Sequence, residues 1–241
     1  MDSLQRIAKT LSRAGLASRR KAEKLVLNGE VSVNGKIIND LATKVNSSDK
    51  IRFNGKLVSS PDNTRLWRYY KPTGLVSTHS DEKGRPTIYE KLPANLPRLM
   101  SIGRLDIASE GLLLLTNDGE FKRHLELPSN GFVRKYRVRA KGMHDESLLD
   151  KLRKGLSIDN QKFRPMEVIL DRINGANVWY NVSLSEGRNR EIRRSFDQIN
   201  MTVNRLIRIS FAGLDLGALH KGEIKEVPKQ IIKKILSFRG Y

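Results

Sequence analysis

Gly103-Arg104-Leu105-Asp106-Ile107-Ala108-Ser109-Glu110-Gly111-Leu112-Leu113-Leu114-Leu115-Thr116-Asn117-Asp118-Gly119 sets an acid in a turn and follows it with four leucines. The leucine block is strand- or turn-sized, far short of the roughly 18 apolar residues a membrane-crossing helix needs. An Asp beside Gly and Arg in a turn commonly does no more than satisfy backbone amides. Here the apolar block would hold it against a packed core, where burial raises the cost of its charge unless a cation pairs with it.

The pattern around this stretch, from residue 65 onward, is mixed α+β. Leu66-Trp67-Arg68-Tyr69-Tyr70 reads as a strand that runs into the turn Lys71-Pro72-Thr73-Gly74. Residues 133–140, 178–184 and 205–211 read as strands. Residues 188–199 read as a helix with Ile192, Phe196 and Ile199 on one face, and 231–238 as a terminal helix after Pro228.

The first 60 residues carry their own complete set of elements. Ile7, Ala8, Leu11 and Ala14 recur at helical spacing until Gly15, and Ser18 caps a second helix that turns Ala22, Leu25 and Val26 inward. Asn34-Gly35 and Asn54-Gly55 each sit between short β-prone runs, a strong hairpin signal. The spacing therefore divides the chain into a small helix-plus-hairpin domain over 1–60, a linker at 61–64 and a larger domain over 65–241. The larger domain is expected to be a mixed, mostly antiparallel sheet with flanking helices.

The chain has 241 residues, a formal charge of +19 and no cysteine. Disulfides and thiolate chemistry are excluded. Residues 1–60 hold 12 Lys/Arg against 5 Asp/Glu, nearly twice the charge per residue of the remainder. Such a balance favours a polyanion, because Lys and Arg displace condensed counterions from phosphates. Arg6, Lys9 and Arg13 share one helix face by spacing, and Arg19, Arg20, Lys21 and Lys24 open the next helix. His79, His124, His144 and His220 lack metal-ligand spacing, so no metal is expected. Met1-Asp2-Ser3-Leu4-Gln5-Arg6 lacks the apolar core of a secretory signal, and a cytoplasmic protein without a membrane partner is the simplest expectation.

Leu16-Ala17-Ser18-Arg19-Arg20-Lys21-Ala22-Glu23 and Gly29-Glu30-Val31-Ser32-Val33-Asn34-Gly35-Lys36 resemble the alpha-L type RNA-binding module of many RNA-modifying enzymes. The stretch at 103–119 resembles the catalytic motif of the RsuA-like family of ribosomal RNA pseudouridine synthases. Tyr70-Lys71-Pro72-Thr73-Gly74 resembles that family's first motif, and Lys135-Tyr136-Arg137-Val138 its tyrosine-bearing strand. Glu186-Gly187-Arg188-Asn189-Arg190-Glu191-Ile192-Arg193-Arg194 resembles its third motif. Ser109 departs from the family, many of whose members have Thr there.

The resemblance implies isomerisation of a uridine in ribosomal RNA without a cofactor, with the target base flipped out of its stack. It implies Asp106 as the essential carboxylate, Tyr136 stacking beneath the uracil, and a third-motif arginine paired with Asp106. Arg193 is favoured for that pairing and Arg190 stands second; three residues apart on one helix they are neighbours, so the sequence does not separate them. Arg104, Lys71, Arg188, Arg190 and Ile192 are expected to bind substrate. Arg6, Arg19 and Arg20 are expected to hold phosphates. The run 70–78 with Gly84-Arg85-Pro86-Thr87 looks more like the large-subunit branch, so large-subunit rRNA or a pre-ribosomal particle is the expected partner of a monomer. Two other readings compete: a noncatalytic RNA-binding assembly protein, and a hydrolase using Asp106 with Glu110.

Overall fold

In a computed structural model of the chain, residues 4–238 are described. Met1-Asp2-Ser3, with which the expected first domain opens, and the last three residues lie outside them. The chain forms two compact units. The first gathers the residues up to Thr64 with Pro97–Leu99 and Asn117–Gly119. The second holds Arg65–Leu96, Met100–Thr116 and the residues from Glu120 onward.

In the first unit, helix α1 (Ile7–Arg13) and helix α2 (Arg19–Leu27) are set by their apolar spacing. Ile7, Ala8, Leu11, Ala22 and Val26 bury against Val31, Val45 and Ile51. Ser18 caps α2 as expected, its hydroxyl accepting from the Lys21 amide at 3.2 Å. A four-stranded sheet follows in the order Lys36–Ile37, Val31–Val33, Ile51–Phe53, Lys56–Leu57. Both Asn-Gly turns have positive φ at each residue, 51° and 85° at Asn34-Gly35 and 46° and 78° at Asn54-Gly55. That geometry matches the natural twist of the paired strands.

The second unit is built on a nine-stranded sheet. Its main path runs Glu167–Asn174, Asn177–Leu184, Arg134–Lys141, Thr202–Phe211, Glu110–Thr116, Leu66–Lys71, Ile224–Glu226. The pairing of Thr202–Phe211 with Glu110–Thr116 is parallel; the other neighbours on this path are antiparallel. Every residue of Glu110–Thr116 is buried, as a central strand covered on both faces requires, which explains the unbroken leucine run. Gly111 makes the parallel pairing possible: it has φ +106°, and a Cβ there would meet the Arg208 carbonyl oxygen at 2.3 Å. Helix α3 (Gly119–Glu126) lies in the core through Phe121 and Leu125. Helix α4 (Glu146–Lys154) buries Leu149 and Leu152, and helix α5 (Glu191–Asp197) buries Ile192 and Phe196. Helix α6 (Lys229–Ser237) joins the same core as α3 through Ile232 and Ile235.

The α+β reading and the mostly antiparallel sheet agree with this architecture. The third-motif helix is shorter than expected, because Arg190 adopts a left-handed φ of 50° and ends it on that side. Arg6 stands ahead of α1 in extended backbone, so it does not share a helix face with Lys9 and Arg13. Arg13 is engaged within the first unit, 3.1 Å from Asp118 and 3.3 Å from Thr64, rather than presented to solvent. No helix of the described residues is long and apolar enough to cross a membrane.

Candidate active site

The second unit holds a cavity of about 630 Å³. The turn Gly103-Arg104-Leu105-Asp106 and Ser109 form one wall. Arg134, Tyr136, Leu184, Leu206 and Arg208 form the sheet side, and residues 186–192 the third. Glu126, Pro128 and Arg164 complete it. Six arginines thus face four carboxyl groups, a surplus of positive charge that concentrates a polyanion at the opening.

The backbone beneath Asp106 is tied at several points. Ser77 Oγ accepts from the Leu105 amide at 3.3 Å and donates to its carbonyl at 3.1 Å. The Gly74 amide donates to the Ile107 carbonyl at 2.8 Å. Lys71 Nζ donates to the carbonyls of Pro72, Asp106 and Ser109 at 3.0, 3.1 and 2.9 Å. Arg193 donates to the Ala108 carbonyl at 3.1 Å and the Val203 carbonyl at 2.6 Å. The segment 71–77 is therefore a clamp on the 105–109 loop.

Two expectations need correcting. Lys71 does not line the cavity: it is fully buried beneath the loop, where burial pushes its pKa from 10.5 down to about 8 despite the nearby Asp106 carboxylate. Its ammonium is spent on the loop carbonyls and is not part of the cavity lining. Arg193 is likewise buried and spent on carbonyls, and burial lowers its pKa, with Arg190 adding to the effect. The cation beside the Asp106 carboxylate is Arg190, at 4.0 Å. Arg190 and Arg193 are not neighbours on one helix, because Arg190 precedes α5 in left-handed backbone, which a non-glycine residue adopts only at a cost.

Asp106 is partly accessible, at 19% side-chain exposure. Tyr136 lies on the cavity side of its strand, paired with Val182 and Arg208. Ile192 is buried and lines the same cavity; Arg104, Arg188 and Arg190 line it and are exposed. Arg6, Arg19 and Arg20 are exposed in the first unit and form no part of this wall; Arg19 stands 3.7 Å from Glu23.

Several wall residues had no sequence motif of their own. Arg208 is almost fully buried, and its Nε donates to the Leu112 carbonyl at 2.6 Å. Arg134 stacks over Phe211 at 4.5 Å and donates to the Phe132 and Ser185 carbonyls at 3.0 and 3.2 Å. A buried cation among apolar strand positions was the available signal for both. Glu186 and Glu191 form a buried carboxyl pair that brackets the third-motif loop. Glu191 accepts from the Arg188 amide at 2.9 Å; Glu186 accepts from the Arg164 amide at 2.6 Å and Arg188 Nε at 3.0 Å. Burial, with Glu186 alongside, pushes Glu191 up to about 7. Glu186, although burial works the other way, is held below its ordinary value by the Arg164 amide and Arg188.

Sequence and structure comparisons agree with one another. A family model described as RNA pseudouridylate synthase matches residues 65–198, and an S4 domain model matches 5–51. A protein of Rickettsia felis described as an uncharacterized RNA pseudouridine synthase is 47% identical over 231 residues, covering 96% of this chain and 100% of its own. The ribosomal large subunit pseudouridine synthase B of Bacillus subtilis is 38% identical over 236 residues, 96% of either chain. A crystal structure of a pseudouridylate synthase superposes with a TM-score of 0.67 at 26% identity, over 95% of this chain and 99% of that one.

Proposed function

The chain belongs to the RNA pseudouridylate synthase family and is an RNA pseudouridine synthase with an S4 domain; on that premise we propose that it isomerises a specific uridine of large-subunit ribosomal RNA, with Asp106 as the catalytic carboxylate. The single observation that carries this reading is the Asp106 side chain, partly open to an arginine-walled cavity while its backbone is clamped by Lys71 and Ser77. The large-subunit target is supported by the name of the Bacillus subtilis relative.

The chemistry suits these groups. The N1–C1′ bond breaks, a C5–C1′ bond forms, and a proton leaves C5 while N1 gains one. Nothing is oxidised and nothing is released. A carboxylate serves as nucleophile toward the sugar or base, or takes a proton at C2′. Either role needs its charged form, and Arg190 brings a cation to it. The uridine must leave its stack to reach Asp106. Tyr136 then offers a ring face to the uracil, while Arg104 and Arg188 meet phosphates at the rim.

The test is Asp106→Asn with an rRNA substrate. Turnover should fall by roughly 10²–10⁴-fold or more while RNA affinity stays within about threefold. Turnover within about tenfold of the parent would remove Asp106 from the chemistry. Mapping pseudouridines in rRNA from a strain lacking this protein identifies the nucleotide; a full complement there, large subunit included, would refute the target.

A further inference from the structure

The sheet that carries the cavity has a second face. Side chains alternate along a strand, so Arg137 and Arg139 point away from the side of Tyr136 and Val138. The register sets Arg139 opposite both Trp179 and Arg205, and Arg172 opposite Trp179 from the other flank. Four guanidiniums therefore crowd one indole. Their carbons stand 4.8 Å (Arg137), 5.8 Å (Arg139 and Arg172) and 5.9 Å (Arg205) from the ring centroid. Trp179 is almost buried under them. Lys135 and Lys141, both exposed, extend the same face through their pairing with Ser183 and Asn177.

Three carboxylates on this face do not balance seven cations, Lys221 included. Asp171 meets Arg137 at 2.7 Å. Glu110 meets Arg205 at 2.7 Å and Lys221 at 2.9 Å. Glu167 shares the face through its pairing with Ser183. Arg139 directs Nε to Asn204 at 2.7 Å and Arg205 directs Nε to Glu110, so the outer nitrogens of both remain to be used. An indole face seats one guanidinium well, and Arg137 is the nearest; stacking alone does not account for the other three. Helices α4 and α5 do not cover this side. Phe196 of α5, and His144 just ahead of α4, meet Tyr180, whose side chain points to the cavity face.

We propose that this Trp179-centred arginine face is a second RNA-binding surface, which takes backbone phosphates of a strand flanking the modified region on the side of the sheet opposite the cavity. The planar fork of a guanidinium matches two phosphate oxygens at once, and arginines held around a rigid ring lose less freedom on binding than lysines at a loop tip. The proposal rests on the chain's action on RNA. It adds that substrate contacts continue beyond the cavity and the first unit.

The test uses the full chain carrying Lys135→Gln, Lys141→Gln and Arg172→Gln together, three exposed side chains whose replacement spares the core. A control carries Lys229→Gln, Lys233→Gln and Lys234→Gln on exposed positions of α6, with the same reduction in charge. The probes are a short hairpin around the mapped uridine and a transcript extended by its flanking helices. On the extended transcript, the slope of log binding constant against log salt should flatten by roughly 2–3 for the first variant, about 0.7–0.9 for each phosphate no longer neutralised, and stay at the parent value for the control. An unchanged slope, or equal flattening by the control, overturns the proposal and leaves the face as solvated charge. Equal flattening on the short hairpin also overturns it, because that probe does not reach the reverse face. Failure of the parent enzyme to form pseudouridine in either RNA would count against the functional reading instead, since the slope reports binding alone.

Discussion

Replacing Lys71 with Met keeps the volume of the buried stem and removes every donor. Two opposing terms set the cost. The ammonium donates to three carbonyls at 2.9–3.1 Å, and a hydrogen bond to a charged group contributes about 1.5–3 kcal/mol. Three such bonds make roughly 5–9 kcal/mol. Against this, burial pushes the ammonium from 10.5 to about 8, a charging penalty of about 3–4 kcal/mol that Met does not carry. The net loss of stability is therefore about 1–6 kcal/mol. The sign with pH follows from the lowered folded pKa: the penalty is fully present below about 8 and is relieved as pH rises toward 10.5. Stability of the parent should thus rise across that window relative to Lys71→Met. The Asp106 loop also loses its tether, and a displacement of about 1 Å costs on the order of 10²-fold in turnover. Urea unfolding at several pH values gives the first quantity, and pseudouridine formation with saturating RNA gives the second. A variant within about 0.5 kcal/mol of the parent, with turnover within about threefold, would refute the clamp.

The two third-motif arginines should separate by readout. Arg193→Gln should lose about 2–4 kcal/mol of stability because the Ala108 and Val203 carbonyls lose a charged donor, whereas Arg190→Gln, exposed and 4.0 Å from its partner, should stay within about 0.5 kcal/mol while turnover falls. Equal unfolding midpoints for both would contradict that division. Glu191, raised to about 7 by burial and by Glu186, binds a proton in the folded state that the unfolded chain has already released. Parent stability should accordingly fall as pH rises from about 4.5 to 7, and Glu191→Gln should flatten that decline; parallel curves would show that Glu191 takes up no proton on folding. Tyr136→Phe preserves the ring face, so turnover within about threefold of the parent marks stacking as its role and a loss beyond about tenfold marks the hydroxyl.

What the sequence disclosed divides along a physical line. The Asn-Gly hairpins and the Ser18 cap are local, decided by a few adjacent residues and their backbone preferences, and they appear where their spacing predicts. The leucine block reads only as a strand- or turn-sized apolar run, because an apolar run alone does not distinguish a strand from a turn; the structure makes it a central strand buried on both faces. The edge strand Glu167–Asn174 was not legible: it is exposed at seven of eight positions and has no apolar alternation to betray it. Helices α3 and α4 were also missed, being short and largely charged outside two buried positions each.

The site was legible in its side chains and opaque in its backbone contacts. Asp106, Tyr136 and Ile192 come to one cavity, as the motifs imply. Lys71 and Arg193 were misread because their partners are carbonyl oxygens, which every residue possesses and no pattern distinguishes. A motif cation was assumed to serve the motif acid. The chain instead spends buried Lys71 and Arg193 on the peptide groups around Asp106 and leaves the exposed Arg190 to face the carboxylate. That division is physically reasonable. A buried cation on fixed carbonyls holds the loop at every pH at which it stays charged, whereas a direct buried ion pair would leave an unpaired charge whenever substrate displaced one partner. Arg190, half-exposed, can turn toward a phosphate and be rehydrated at little cost. Rigidity therefore resides in the backbone beneath Asp106, and adaptability in Arg190, the cavity arginine beside its carboxylate.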